Sequence, residues 1–308
     1  MGNQKKGPLL VVLAAGVGSR YGGLKQMDAI GEGGEALLDY SVYDALRCGF
    51  TKIIFIIRHD IEADFKSLVL ARMHGKAPYS LAYQEADVFI PADIAAHAKA
   101  AGRTKPWGTA HALVCAAEQI DAPFCVLNAD DFYSKEAFEV MGAYLSDTTI
   151  TEGALTPYKL ERTLSARGTV TRGVCGIENG YLKKIDELKA LERRADGIIV
   201  NTYDDGSTEK FGGDTPVSMN FWGFPPSILP HFKTYFDGFL ASSGRELKSE
   251  CYLPLAAGKF IDDGILKIRA LPADADWFGV TYKEDRAEVK EKIRALTKAG
   301  VYPPRLWE

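Results

Sequence analysis

Residues 9 to 15 read LLVVLAA, a stretch without one polar side chain, and residue 16 opens a run in which Gly16, Gly18, Gly22 and Gly23 recur with Ser19, Arg20 and Lys25 among them. An apolar run this short, lacking alternation, predicts a strand covered on both faces. KIIFIIR (52 to 58), YSLAYQE and FCVLNAD predict further strands. Between them, EALLDYSVYDALRCGF carries Ala36, Leu37, Tyr40, Tyr43, Leu46 and Phe50 at helical spacing and predicts a helix ending at Gly49. DIEADFKSLVLARMH and TAHALVCAAEQI predict two more helices. Strands alternating with helices point to an α/β fold, a mainly parallel Rossmann-like sheet flanked by helices.

From about residue 151 the texture changes. GALTPYK, GTVTRGVCGI and YLKKIDEL are short segments broken by Gly and Asn, which predict a mixed, strand-rich extension. STEKFGGD reads as a polar loop, VSMNFWGF as another strand, and DRAEVKEKIRALTKAG as a C-terminal amphipathic helix ended by Gly300. No repeat or low-complexity linker separates the two parts, so 1–150 and 151–308 are expected to pack as one compact unit.

The length of 308 residues and 46% apolar composition allow a large core. A net charge of −4 carries no electrostatic footprint for nucleic acid, so any phosphate recognition must be local. Cys48, Cys115, Cys125, Cys175 and Cys251 are odd in number and never spaced as CxxC, which predicts reduced thiols and a cytoplasmic setting. The N-terminal lysines before an apolar stretch imitate a signal peptide, but the stretch runs without a cleavage site into the glycine loop. No apolar run reaches the ~18 residues of a membrane span. The sequence leaves the oligomeric state open, a homo-oligomer included.

The glycine-rich stretch is a phosphate-loop candidate. It lacks the GxxxxGK[ST] arrangement of a Walker loop. In a dinucleotide fold the helix begins at the loop itself, whereas here Gly31, Gly33 and Gly34 still follow and the apolar helical rhythm starts only near Ala36. What remains is a long cationic loop crossing the carboxyl edge of the sheet. Its glycines let backbone amides approach an anion, and Arg20 and Lys25 add charge at two places. That suits a triphosphate attacked at its α-phosphorus while pyrophosphate departs. Asp130 and Asp131 end an apolar strand at the edge where open α/β sheets bind ligands, and a carboxylate there can hold Mg²⁺ against phosphate oxygens.

LAAGVGSRYGGLKQ resembles the signature loop of the sugar-1-phosphate nucleotidyltransferases, which begins LAxGxGSR or LAxGxGTR with a lysine shortly after. In the same order as in that family, YQE (83 to 85) and WGTAHAL (107 to 113) resemble its base-recognition segments, VLNADDFY (126 to 133) its LxGDxxF strand end, and VSMNFWGF the strand that contacts the sugar. The resemblance covers about residues 8 to 225.

The resemblance implies a GT-A-like nucleotidyltransferase fold and transfer of NMP from an NTP (UTP, CTP or dTTP) to a sugar 1-phosphate, giving an NDP-sugar and pyrophosphate. It implies Arg20, Lys25 and Asp130 as catalytic residues, with Asp130 as the Mg²⁺ ligand. It places Ala14, Gly16, Gly18, Ser19, Gln84, Gly108 and Thr109 at the nucleotide and Gly173, Glu187 and Asn220 at the sugar phosphate. His111 reads as part of a helix face. Two positions depart from the family: the lysine that often follows the sugar-site glutamate is replaced by Leu188, with Lys189 one step later, and Gly279 stands where a second metal-binding aspartate is often found. Asp276 is a weak substitute. Two other readings stay open. One is a cytidylyltransferase for a non-sugar phosphate such as choline phosphate or methylerythritol phosphate. The other is a glycosyltransferase consuming an NDP-sugar, although NADD lacks the DxD spacing usual there. A catalytically silent regulatory homologue is disfavoured by the joint presence of Arg20, Lys25 and Asp130.

Overall fold

The first strand divides its side chains between two apolar layers. In β1 (Leu9–Leu13), Leu10 and Val12 pack into one layer while Leu9 and Val11 pack into the other. Burying each such side chain contributes about 1.5–3 kcal/mol, which fixes the strand at the centre of the sheet. A computed structural model describes residues 7–16, 27–280 and 285–308, and the account concerns those residues. Beside β1 lie β2 (Lys52–Ile57), with β3 (Tyr79–Tyr83) outside it, and on the other flank β4 (Phe124–Asn128); all four run parallel in the order β3-β2-β1-β4.

Helices cover both faces. On the Leu10 side lie α1 (Leu37–Arg47), α2 (Glu62–Phe65), α5 (Lys135–Leu145) and α8 (Asp285–Lys298). On the Leu9 side lie α3 (Ala92–Ala100), α4 (Thr109–Ala116), α6 (Leu229–Ser243) and α7 (Leu253–Asp262).

The sheet does not stop at β4. Running outward come β13 (Trp222–Phe224), antiparallel to β4, then β6 (Gly153–Leu155), β14 (Ile268–Ala270), β9 (Tyr181–Arg193), β8 (Val170–Glu178), β12 (Pro216–Ser218) and β7 (Tyr158–Lys159). β10 (Ile199–Thr202) and β11 (Thr208–Phe211) form a hairpin on β9, and β5 (Asp131–Phe132) pairs with β15 (Phe278–Gly279) as a separate ribbon. Strands from before and after residue 150 thus share one thirteen-stranded sheet, parallel in its first part and mixed in its second.

Three stretches depart from the sequence reading. VSMNFWGF is two strands, because Asn220 takes φ +64° between β12 and β13 and redirects the chain. Asn tolerates that left-handed conformation better than most residues. The STEKFGGD segment contains β11, whose backbone is satisfied by pairing with β10. DIEADFKSLVLARMH holds one short α-turn followed by a π-turn over Lys66–Leu70.

The last residues fasten to α1 through buried carboxylates. Glu35 accepts the Leu306 amide at 3.1 Å, Asp39 the Trp307 indole N–H at 3.0 Å, and Asp44 the Tyr302 hydroxyl at 2.7 Å. Asp39 also pairs with Arg72 at 2.7 Å and accepts the Ala36 amide at the start of α1. Burial raises the Asp39 carboxyl despite that arginine, and lifts Asp44 to about 6.

Candidate functional site

β1 and β4 are neighbours with Leu13 opposite Asn128, so the loop leaving β1 and the NADD segment leaving β4 start side by side at one sheet edge. Ala129 donates its amide to the Leu13 carbonyl at 3.1 Å, and Ala14 donates to that of Ile56 at 2.9 Å. Ala14 is buried and Gly16 exposed. Gly18, Ser19, Arg20 and Lys25 lie outside the described residues.

Beyond that edge an open cavity of about 370 Å³ is lined by Asp130, Asp131, Gly173, Glu187 and Asn220 among others. Four residues that the resemblance implied, Asp130, Gly173, Glu187 and Asn220, are therefore brought together from the turn after β4, from β8, from β9 and from the β12–β13 bend. A hydrogen-bonded chain sets the position of Asn220 and ties it to Asp131. Trp222 Nε1 donates to Asn220 Oδ1 at 3.0 Å, Asn220 Nδ2 to Asn128 Oδ1 at 2.6 Å, and Asn128 Nδ2 to Asp131 Oδ2 at 2.9 Å. Tyr133 donates to the same carboxylate oxygen at 3.2 Å and is itself held by burial and by Asp131 well above the usual phenol range, so it stays a donor. Each amide and carboxylate thus has a fixed orientation.

β8 and β9 pair with Gly173 opposite Glu187 and Arg172 opposite Leu188. A Cβ on Gly173 would stand 2.8 Å from the Ile185 side chain, another wall of the cavity, so glycine is what lets Ile185 fill that space. Leu188 packs against the core, and Lys189 is exposed.

The ribbon of β5 and β15 explains the Gly279 departure. Gly279 lies opposite Asp131, and a side chain there would meet Asp131 Oδ1. Asp131 occupies the room that a carboxylate at 279 would need. Asp276 pairs with Arg162 at 3.1 Å and lines a different cavity of about 660 Å³, behind the stacked rings of Phe132 and Phe278.

Gln84, Gly108 and Thr109 also come together. Gln84, buried, donates to the Gly108 carbonyl at 2.9 Å. Gly108 takes φ +99° with the Cys251 backbone against its Cα, so a Cβ would be 2.6 Å from Cys251 N. Thr109 Oγ1 accepts the Leu253 amide at 2.8 Å. His111 is fully buried, bonded to the Val88 carbonyl at 2.8 Å and stacked on Phe236, and burial lowers it to about 4. A neutral imidazole with those partners is part of the helix packing.

Two cavity residues escaped the sequence reading. Trp277 is nearly buried, and Arg172 lies with its guanidinium carbon 4.9 Å from the indole centroid. Burial brings the Arg172 guanidinium down to about 10, with Asp131 acting against that shift. The only signal was the TRG tripeptide, in which Gly173 drew the attention that its neighbour also merits.

The donors fit a divalent ion of the hard kind. Asp130 and Asp131 supply carboxylate oxygen alone, and among the described residues no group of three or more His, Cys, Asp or Glu converges as a zinc or calcium cage would need. Mg²⁺ takes one or two protein carboxylates and completes its shell with water and substrate phosphate.

No family model and no curated protein matches the chain. Solved structures do. The inositol-1-phosphate CTP transferase from T. maritima superposes with TM-score 0.58 at 12% identity, covering 94% of this chain and 97% of that one. UDP-glucose pyrophosphorylase complexed with UDP-glucose gives 0.57 at 14%, over 94% and 99%. HddC from Yersinia pseudotuberculosis gives 0.56 at 15%, over 93% and 99%. Along almost its whole length, the chain has the fold of an inositol-1-phosphate CTP transferase and a UDP-glucose pyrophosphorylase, the fold that its sequence resemblance implied.

Proposed function

We propose that the chain is a nucleotidyltransferase that moves NMP from an NTP to a phosphorylated small molecule, foremost a sugar 1-phosphate, and releases pyrophosphate. The observation that carries this reading is the convergence of Asp130, Gly173, Glu187 and Asn220 on one cavity, beside the mouth of the glycine-rich loop. Neither half of such a site serves a reaction alone: the loop side suits a triphosphate, the cavity side a polyhydroxylated acceptor.

In this reading Arg20 and Lys25 neutralise the triphosphate, and the Gln84 and Gly108–Thr109 segments hold the base. Asp130 would hold Mg²⁺, which offsets charge on the phosphates as the α-phosphorus changes partners. The acceptor phosphate is ionised near neutral pH and attacks in line without a general base. Glu187 and Asn220 offer an acceptor and an amide to hydroxyl groups, each of which can donate and accept. The acceptor class extends to cyclitol phosphates, since one similar structure is an inositol-1-phosphate CTP transferase.

The test is pyrophosphate release with each NTP and Mg²⁺ across hexose 1-phosphates, inositol 1-phosphate and choline phosphate. Release with at least one pair is expected, and Asp130→Ala should lower it at least about a hundredfold. Sugar transfer from an NDP-sugar without pyrophosphate would make the chain a glycosyltransferase instead.

A further inference from the structure

Arg172 is a largely buried cation whose hydrogen bonds, among the described residues, go to neutral groups. Its guanidinium donates to the carbonyls of Thr171, at 2.8 Å, and Thr163. Its Nε is buried with no partner, and one face of the group is taken by the Trp277 ring. Arg162 pairs with Asp274 and Asp276, and Arg269 with Glu152, whereas Arg103, like Arg172, donates to backbone carbonyls and stacks on an indole, but away from this cavity. Arg172 forms no such ion pair with a described residue, and Asp131 acts on it only through space. Withdrawing a positive charge from water without a hydrogen-bonded counter-ion costs several kcal/mol, a cost that an anionic ligand bound here would offset.

The surroundings say which anion. Arg172 lines the cavity of Asp130, Glu187 and Asn220 and stands one rung along the β8–β9 pair from Gly173 and Glu187. A guanidinium is planar and offers parallel donors that match phosphate oxygens, whereas glucose-like hydroxyls gain little from it. A phosphomonoester carries between one and two negative charges near neutral pH. We propose that Arg172 receives the phosphate of the phosphorylated acceptor, with the acceptor's hydroxyls turned toward Glu187 and Asn220.

The inference rests on the reading of this cavity as the acceptor site, and a binding experiment separates the two. Calorimetric titration of the intact chain with inorganic phosphate, glucose 1-phosphate and UTP should show Arg172→Met raising the Kd of the first two by about tenfold or more, while the Kd for UTP stays within about twofold. Should Arg172→Met not fold, Arg172→Gln removes the charge while keeping two N–H donors on a shorter side chain, and carries the same comparison. Unchanged phosphate binding in the charge-removing variant overturns the assignment, as does an equal loss for UTP or no phosphate binding by the unaltered chain. Arg172-dependent phosphate binding in a protein that releases no pyrophosphate with any NTP would sink the nucleotidyltransferase reading and leave the assignment of Arg172 standing.

Discussion

Gly279 lies across the β5–β15 pair from Asp131, and a Cβ there would stand 2.5 Å from Asp131 Oδ1. That oxygen cannot swing away cheaply, because Asn128 and Tyr133 grip the other oxygen of the same carboxylate. Gly279→Ala should therefore displace Asp131 and disturb the neighbouring Asp130. Overpacking of this kind costs about 1–3 kcal/mol. The expected signature is a fall in kcat and a raised Mg²⁺ requirement with a small drop in Tm. Activity indistinguishable from the unaltered chain would show that the Asp131 carboxylate has no part in the site.

Asn220 carries two duties that substitution separates. Its amide joins Trp222 to Asn128, and its backbone sits at φ +64°. Asn220→Ala loses the bonds and strains the backbone, and about 2–4 kcal/mol of stability should go with it. Asn220→Gly loses the bonds alone and should recover about 1 kcal/mol of that in denaturant unfolding. Both should raise KM for the acceptor alike. A difference in KM between them would place the cause in the backbone bend.

Gly108 tests the segment beside Gln84. With φ +99° and the Cys251 backbone against its Cα, Gly108→Ala has neither the conformation nor the space it needs. A loss of more than about 3 kcal/mol in unfolding free energy is expected. Thr109→Ala next to it gives up one hydrogen bond, to the Leu253 amide, and should cost about 1 kcal/mol.

The pH dependence of stability runs through buried groups of opposite sign. Burial lifts Asp44 from the ordinary aspartate value of about 4 to about 6, outweighing the lowering by Arg47 and Tyr302. A carboxyl raised in the folded state contributes stability that is complete below about pH 4 and lost as pH rises through 6, about 3 kcal/mol in all. His111, lowered to about 4 by burial, contributes stability present above about 6.5 and lost as pH falls through 4. Asp44→Asn removes only the first. Thermal unfolding at pH 4.5 and pH 7 should show the variant gaining on the unaltered chain at the higher pH. A constant difference between them would mean that Asp44 does not titrate in this window.

The parallel core was legible because Leu9–Leu13, Lys52–Ile57 and Phe124–Asn128 are continuous apolar runs, a local signal that needs no knowledge of partners. Asp130 could be named from its place at the end of an apolar strand, and Gly173, Glu187 and Asn220 through the resemblance of their segments to a known family. Their meeting in one cavity could not be read, since it depends on β13 inserting beside β4 and on the left-handed turn at Asn220. Nor could Arg172 be singled out: an arginine on a strand reads as solvated until the fold buries it under Trp277. Asp131 could be named from the NADD segment, but its opposition to Gly279 joins residues far apart in the chain and could not be read.

The carboxylates of Glu35, Asp39 and Asp44 flank or sit on α1, yet their partners Leu306, Trp307 and Tyr302 come more than 250 positions later. During synthesis these acids emerge with Gly33, Arg47 and Arg72 near them in sequence, but well ahead of Tyr302, Leu306 and Trp307. α1 gains these three bonds only after residues 302–307 have emerged, so an early helix waits on a late segment at this corner of the molecule.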